Sequence, residues 1–284
     1  MSSYLLSLLS YAGINIILVA SLNLINGYTG MFSLGHAGFM AVGAYTSAWI
    51  TNWAMFNHPT WMLFWFPVSL LSGAITAGGV GFLVGLPSLR LKGDYLAVVT
   101  LGIGEIIRVC ILNFEPLGGA RGMSDIPHLS SIIWVVIFGA TILYLLWRLI
   151  HSPYGRSWMS LREDEIASQA MGVSSLRYKT TAFVWGAAFA GIAGGLFAHE
   201  LRYLNPGIFD FNRSFEITLM LVLGGLGNFW GAVISASALT LLKEALKPLQ
   251  EITRIDFRMI IYALVLISVM IIKAKWKWKR HERT

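Results

Sequence analysis

The chain has 284 residues, of which 56% are hydrophobic and only 12% carry a charge. Soluble globular domains carry charge on roughly a quarter of their residues, so this composition excludes an ordinary soluble fold and predicts an all-α, polytopic membrane protein. The net charge of +7 does not indicate a nucleic-acid partner, because basic residues in membrane proteins mostly mark cytoplasmic loops.

Apolar runs follow one another along the whole chain, and each membrane-spanning helix needs about 20 such residues. They predict a single transmembrane domain over 1–284, a bundle of about nine helices within a range of eight to ten. The predicted spans are 4–25, 31–52, 61–86, 94–114, 131–150, 180–198, 214–225, 229–246 and 257–273. The third is long enough to be tilted or broken, and 214–246 is expected to hold short or partly re-entrant helices.

Glycines are placed in two distinct ways. Small residues recur every four positions, at Gly73, Ala77, Gly81 and Gly85 and again at Gly186, Ala190 and Gly194. Such faces let helix backbones approach closely in lipid. Glycines also interrupt two apolar runs, at "NGYTGMFSLGHAGF" (26–39) and "LGGLGNFWGAV" (223–233). Broken helices that line a cavity indicate a transport path.

Lysine and arginine predict the orientation in the membrane. They concentrate at Arg90 and Lys92, in the connection 151–179 and in the tail 273–284. If these face the cytoplasm, the N-terminus and the loops 53–60 and 115–130 lie outside, and the C-terminus lies inside. The tryptophans and lysines of the tail are typical of a membrane anchor that contacts the bilayer surface.

Polar residues inside predicted spans are costly and are usually paired or functional. Glu105 and Arg108 lie three residues apart and are expected to form an ion pair on one helix face. His36 begins the second span and is expected to hydrogen-bond at the helix terminus. Asn15, Asn23 and Glu216 can bond between helices. The candidate substrate-path residues are therefore His36, Glu105, Asn23 and Glu216.

Motifs for catalysis are missing from the sequence. It has no G-x-x-x-x-G-K-[ST] phosphate loop, no His-Glu-x-x-His and no paired cysteines, so we expect no enzyme activity, cofactor or metal in this chain. The single Cys110 excludes a disulfide framework. Since it lies in an apolar run, we expect it to be buried.

The most charged internal stretch is "SLREDEIASQAMGV" (160–173). It predicts a short amphipathic helix with its acids toward the start, a stop at Gly172 and a second short turn capped by Ser174. Helical spacing gives it an apolar edge opposite the acids, at Met159, Ile166, Ala170 and Val173. Two interpretations remain open: a solvated surface helix, or a helix that docks on a cytoplasmic partner.

Five blocks of the sequence carry a family resemblance. They are "GYTGMFSLGHAGFMAVGAY" (27–45), "LRLKGDYLAVVTLGIGEIIR" (89–108), "SPYGRSWMSLREDEIASQAMGV" (152–173), "RYKTTAFVWGAAFAGIAGGLFA" (177–198) and "LVLGGLGNFWGAV" (221–233). The chain resembles the permease subunits of branched-chain amino-acid ABC importers, specifically the M-type member of the H/M pair.

The resemblance implies several partners and a location. It implies two cytoplasmic ATP-binding subunits, a second permease subunit of the H type, an external solute-binding protein and the bacterial inner membrane. It also implies that the cytoplasmic loop 151–179 couples to the ATPases. The residues carried over for that role are Arg156, Arg162, Glu163, Asp164, Glu165, Ala170 and Gly172.

The coupling loop departs from one known pattern. Other ABC permeases use E-A-A-x-x-x-G, whereas Glu165 and Gly172 are seven residues apart here. The double variant Glu163→Lys, Glu165→Lys is expected to uncouple ATP hydrolysis from uptake. The alternatives are a urea or short-amide permease of the same family, an ion-coupled secondary transporter using Glu105 or Glu216, and a membrane-embedded enzyme, which the missing motifs disfavour.

Overall fold

The computed structural model describes residues 2–57, 61–88 and 93–245, which are predominantly helical, with no named β-strand in them. This confirms the predicted all-α class. The helices are α1 (Ser2–Asn23), α2 (His36–Asn57), α3 (Met62–Ser88), α4 (Asp94–Leu112), α5 (Ile132–Ile150), α6 (Pro153–Glu163), α7 (Glu165–Ala170), α8 (Ser175–Leu201), α9 (Phe211–Gly224) and α10 (Phe229–Ala245).

Five segments of the described chain are long and apolar enough to cross a membrane. They are Tyr4–Tyr28, Met62–Pro87, Asp94–Leu112, Ile132–Ile150 and Ser175–Leu201. Further apolar helices pack beside them, but the predicted count of nine is not confirmed. The predicted span 257–273, the basic tail 273–284 and the pair Arg90 and Lys92 lie outside the described residues.

Two predicted spans differ from the helices observed. The third is one unbroken helix, α3, with Pro67 and Pro87 inside it. The second begins five residues later than predicted, because a π-helical turn (Leu24–Tyr28) ends α1 and a non-helical stretch runs from Thr29 to Gly35. We call residues 24–35 the first interruption, and the turn 225–228 between α9 and α10 the second interruption.

The centre of the bundle is the contact of α2, α3 and α8. A Cβ added to Gly43 would lie 2.2 Å from Cα of Gly191, and one added to Gly191 would lie 2.5 Å from the carbonyl oxygen of Gly73. The three backbones therefore touch where no side chain fits, as the small-residue spacing predicts. Gly81 likewise faces Ala187 across α3 and α8.

The long helix α8 separates the two ends of the bundle by about 40 Å, at 1.5 Å per residue. Its start follows α7, while its end leads to an antiparallel bridge between Met123 and Leu204. His199, in the last turn of α8, donates its Nδ1–H to the carbonyl oxygen of Pro127 in the same region, at 2.9 Å. The loop after α4 thus binds the end of α8, at the end of the bundle opposite α6 and α7.

Gly191→Ala is expected to destabilise the bundle, since its methyl group would overlap the Gly73 carbonyl, and overpacking costs about 1–3 kcal/mol. The matched control is Gly79→Ala on α3, because nothing lies within 4 Å of a Cβ added there. In a helix, alanine is more favourable than glycine by about 1 kcal/mol, so the control should melt at or above the parent temperature. Equal melting of the two variants in detergent would contradict this packing.

Candidate coupling site and interrupted helices

The charged stretch forms two helices, α6 and α7, where the sequence predicts one. Asp164 separates them with an extended backbone (φ −151°, ψ 107°). Its carboxylate accepts hydrogen bonds from the N–H groups of Ile166 (2.9 Å) and Ala167 (3.0 Å), which satisfies the first turn of α7. Gly172 follows α7 with φ +88°, as predicted for a stop, while Ser174 lies at the start of α8. We call residues 153–170 the charged segment.

The apolar edge predicted for this segment is wrong for α7. Ile166 and Ala170 are exposed; the buried residues are Gly155, Trp158 and Leu161 of α6 and Ser168 of α7. The break at Asp164 resets the helical phase, so α7 does not continue the face of α6.

Two side chains, Trp158 and Glu165, bind the charged segment to the first turns of α8. The fully buried Trp158 donates its indole N–H to the carbonyl oxygen of Tyr178 at 2.9 Å. Glu165 accepts a hydrogen bond from Lys179 at 2.8 Å and another from the hydroxyl of Ser175. Glu165 therefore holds α7 against α8 in this conformation.

Arg162, the next-to-last residue of α6, reaches into the bundle. Its Nη1 donates to the carbonyl oxygen of Gly27, in the first interruption, at 3.1 Å. Its Nη2 and Nε donate to Glu163 at 2.6 Å and 3.1 Å. Glu163 thus orients the guanidinium, which joins the charged segment to a helix end that lacks an intrahelical partner.

Glycines make room for the Arg162 side chain on both sides, one at its aliphatic stem and the other at its guanidinium. Gly30, with φ +69°, would place a Cβ 2.8 Å from Cγ of Arg162, and Gly227, with φ +76°, would place one 2.5 Å from Nη1. Gly227 belongs to the second interruption. Arg162 therefore lies between the two interruptions, at positions where both backbone conformation and space favour glycine.

Asn23 connects the same two interruptions directly. Its side-chain oxygen accepts from the N–H of Gly227 at 2.9 Å, and its Nδ2 donates to the carbonyl oxygen of Asn228 at 3.1 Å. A Cβ on Gly27 would collide with this amide at 1.9 Å. Of the predicted site residues, Asn23 and Arg162 are the two that the structure brings to one place.

Side chains accept hydrogen bonds from two backbone N–H groups in the non-helical part of the first interruption. The N–H of Ser33 donates to Asn26 Oδ1 and the N–H of Leu34 donates to Thr100 Oγ1 on α4, both at 3.1 Å. Backbone groups freed inside an apolar bundle need such partners.

His36 begins α2, as predicted, and is fully buried. Its Nε2 lies 2.9 Å from the hydroxyl of Ser21 on α1, while Nδ1 has no hydrogen-bond partner within the described ranges. The neighbouring N–H of Ala37 donates to Ser214 Oγ on α9 at 3.1 Å. The start of α2 is therefore held by α1 and α9.

Glu216 lies in a buried ionic cluster of α1, α9 and α10. It accepts from Arg213 at 2.9 Å and from Lys243 at 2.7 Å. Arg213 also donates to Asn15 at 2.8 Å, and Asn15 donates to Thr240 at 2.9 Å. The predicted interhelical role of Asn15 and Glu216 is confirmed, and the two cations leave the Arg213–Glu216–Lys243 group with one excess positive charge.

Glu105 and Arg108 form the predicted ion pair on α4, with 2.7 Å between Oε2 and Nε. Their side chains are 33% and 28% exposed, so this pair is partly buried at the flank of α4, whereas Val98 and Ile106 lie on its most exposed face. Cys110 on the same helix is exposed, which corrects the expectation that it is buried. In the described ranges no three His, Cys, Asp or Glu side chains are grouped to bind a metal ion.

Sequence reasoning missed several residues that hold these sites together. Arg213 and Lys243 of the cluster, and the capping residues Thr100 and Ser214, were not candidates. A signal was present for Arg213, since it lies three residues before Glu216, the spacing that identified Glu105 and Arg108 as a pair. No sequence signal indicates that Arg162 contacts Gly27, 135 residues away.

Comparison with known proteins identifies the family. The family model for the permease component of branched-chain amino acid transport systems matches residues 4–272. The chain belongs to this family. No solved structure matches the chain.

Individual relatives agree with this assignment. The chain is 36% identical to the high-affinity branched-chain amino acid transport system permease protein LivM of Escherichia coli (strain K12), over 84% of this chain and 62% of the relative. It is 32% identical to a probable branched-chain amino acid transport permease protein LivM of Methanocaldococcus jannaschii, over 62% of this chain and 56% of the relative. It is 23% identical to LivH of Salmonella typhimurium, over 74% of each chain. The aligned region thus spans less than two thirds of the LivM relatives.

Gly227→Ala is expected to lower stability through two effects that a mutant cycle separates. Left-handed backbone costs a non-glycine residue about 1–2 kcal/mol, and the new methyl group also meets Arg162. The second effect should disappear with Arg162→Ala, so the two substitutions should be non-additive in the free energy of unfolding.

The control for this cycle is Gly93→Ala. Gly93 has φ +59°, but nothing lies within 4 Å of its Cβ position. Gly93→Ala should therefore incur the backbone strain alone, and its effect on the free energy of unfolding should be additive with that of Arg162→Ala. The free energies of unfolding would be measured by chemical unfolding in detergent. If Gly227→Ala were as additive with Arg162→Ala as Gly93→Ala is, the guanidinium would not lie against Gly227.

Proposed function

We propose that the chain is the transmembrane permease subunit of an ATP-binding-cassette importer for branched-chain or other neutral amino acids. The observation that carries the proposal is the double attachment of the charged segment. One side of it is exposed, and the other is joined through Arg162 to the first interruption and packed against the second. Such an element is suited to pass the movement of a cytoplasmic partner into the bundle.

The substrate class and the partners are supported by family membership. The relatives are named as branched-chain amino acid transport permeases, and we carry that class over to this chain. Because the sequence has no phosphate-binding loop, we assign ATP hydrolysis to two separate cytoplasmic subunits. A second permease of the H type and an external solute-binding protein complete the proposed assembly.

The proposed location is the bacterial inner membrane, with the charged segment in the cytoplasm. This orientation follows the excess of lysine and arginine in 151–179. Since α1 runs toward Arg162, its Ser2 end then lies outside. The end that holds the Met123–Leu204 bridge faces the external binding protein. The C-terminus is proposed to lie inside.

The proposed ATPase-docking surface has an apolar centre with charges beside it. Ile166 and Met171 are 77% and 85% exposed, which is unusual for large apolar side chains on a cytoplasmic loop unless a partner covers them. Glu163 is 72% exposed beside them. The remaining members are Arg156, Asp164, Ala170 and Gly172, all exposed.

Within this surface Arg162 and Glu165 have internal roles. Movement of α6 would pull on the Gly27 carbonyl through Arg162, and movement of α7 would be transmitted to α8 through Glu165 and Lys179. When a partner binds this surface, the cytoplasmic ends of the helices would therefore move.

We also propose a substrate path that passes the two interruptions. Asn23 and His36 are buried, as is Glu216 for the most part, so they would line the path when the bundle opens at these interruptions. Glu105 is partly exposed and would lie where the chain faces a second permease.

Reconstitution tests the function directly. Proteoliposomes with the two ATPases, the H-type permease and the binding protein should take up leucine only with ATP. Excess unlabelled leucine should compete, with alanine weaker and urea without effect. Competition by urea would favour the short-amide alternative, and uptake driven by an ion gradient without ATPases would refute the importer proposal.

Ile166→Asp is expected to lower uptake by at least about tenfold, because we place Ile166 at the centre of the docking surface, where hot-spot side chains are worth about 2 kcal/mol or more. Its melting temperature should not change, since the side chain touches little within the chain. Ile166→Leu, which keeps an apolar side chain, should retain uptake. Uptake by the aspartate variant at the parent rate would remove Ile166 from the docking surface.

The structure gives the two substitutions of the double variant Glu163→Lys, Glu165→Lys different expected effects. Glu163→Lys should uncouple hydrolysis from uptake, whereas Glu165→Lys also breaks the bond to Lys179. The two substitutions should therefore be compared singly, with stability measured for each. Glu165→Gln, which keeps a hydrogen-bond acceptor, serves as its milder control.

A further inference from the structure

A partly exposed charged pair lies on the flank of α4, and its acidic member is near the middle of this candidate membrane span. Glu105 lies eleven residues after Asp94, about 16 Å along a helix of about 28 Å. Thr100 and Gly104 contact Gly35 and Gly38 around the start of α2. Arg108, four residues after Gly104, lies at the edge of that contact, and Glu105 lies farther toward the exposed side. Charged side chains at such depth almost always face protein or a water-filled cavity, because lipid contact is costly.

Other outward faces of the bundle lack such charges. On α5 the buried residues share one face, and the opposite face exposes Ile133, Val136, Ile137 and Tyr144. Its only charged residue is Arg148 in the last turn. On α3 the exposed residues include Leu71, Ile75 and Phe82, and the helix contains no charged residue. These two faces suit lipid, whereas the face of α4 does not.

Gly102 supplies an independent observation on the same face. Val98, Gly102, Glu105 and Val109 recur at offsets of four, three and four, so they form one stripe. A Cβ added to Gly102 would meet nothing within 4 Å. Glycine weakens a helix by about 1 kcal/mol relative to alanine, and no contact within the described chain requires it there. Close approach by a helix of another chain does require a small residue.

We propose that this stripe of α4, residues 98–109, docks against a transmembrane helix of the second, H-type permease subunit. The inference rests on the proposed function and adds the surface by which the two permeases meet.

The unused donors of Arg108 define what the partner must offer. In the described chain only its Nε donates, to Glu105, so the other guanidinium N–H groups need acceptors. Lipid tails offer none. The partner helix should therefore carry hydrogen-bond acceptors opposite Arg108 and a surface flat enough to approach Gly102. The family resemblance, which implies an H/M pair, identifies that helix as part of an H-type subunit.

Photo-cross-linking in the complete importer tests the surface. A benzoylphenylalanine at Val98 should form an adduct of this chain with the co-expressed H-type permease, identified by the masses of both chains. The same probe at Ile137 on α5, also an exposed position, should give none. No adduct from Val98, an equal yield from both positions, or an adduct of two copies of this chain would overturn the proposal.

A matched pair of glycine substitutions provides the second measurement. Gly102→Leu should reduce co-purification of the H-type subunit by at least about tenfold, as expected when a close helix approach is blocked. Gly79→Leu should not, although its Cβ position is equally open. Equal co-purification would refute the docking role of Gly102. If the parent complex takes up leucine with ATP while both α4 tests fail, only the α4 surface is wrong; if uptake itself fails, the importer proposal is wrong.

Discussion

The structure depends on satisfying backbone groups where two apolar helices are interrupted. In a bundle that excludes water, a free N–H or carbonyl group is costly, so each interruption needs partners from elsewhere in the chain. Side chains supply many of them: Asn26 and Thr100 at the first interruption, and Asn23 at the second. Because Thr100 belongs to α4 and Asn23 to α1, these bonds also fix how the helices lie relative to one another. The helices are therefore connected by hydrogen bonds at the interruptions, and small movements there must break or exchange these bonds.

Arg162 differs from the other partners because it comes from a surface element. The remaining caps lie within the bundle, but the carbonyl of Gly27 is capped by a residue of α6, whose other face is open to solvent. Gly30 leaves space for the stem of this arginine and Gly227 leaves space for its guanidinium. The charged segment is thus mechanically connected to the place where the bundle is least continuous. This connection is the reason for proposing that the segment is a coupling element and not only a solvated surface helix.

The sequence predicts the helical class, most helix positions, the glycine contacts of α3 with α8 and the Glu105–Arg108 pair, because these follow from periodicity and from spacing within one helix. It does not predict the split at Asp164, which depends on one backbone conformation, or the exposure of Ile166, which follows from that split. The contact of Arg162 with Gly27 is also beyond sequence reasoning, since it joins residues far apart in the chain. Local patterns thus specify the elements, whereas the candidate site arises from long-range packing.

The two groups of intramembrane charges differ in what they require. Glu216 accepts from both Arg213 and Lys243, and Asn15 and Thr240 extend this network. It links α1, α9 and α10 within the chain. The Glu105–Arg108 pair lies partly exposed on the flank of α4 and leaves most donors of Arg108 without acceptors in the described chain. An ionic group that is complete inside one chain stabilises that chain, while an incomplete one on its surface calls for another chain. By this criterion the charges of α4 support the proposed contact with a second permease. Those around Glu216 stabilise the bundle as observed and would line the proposed substrate path only when the bundle opens.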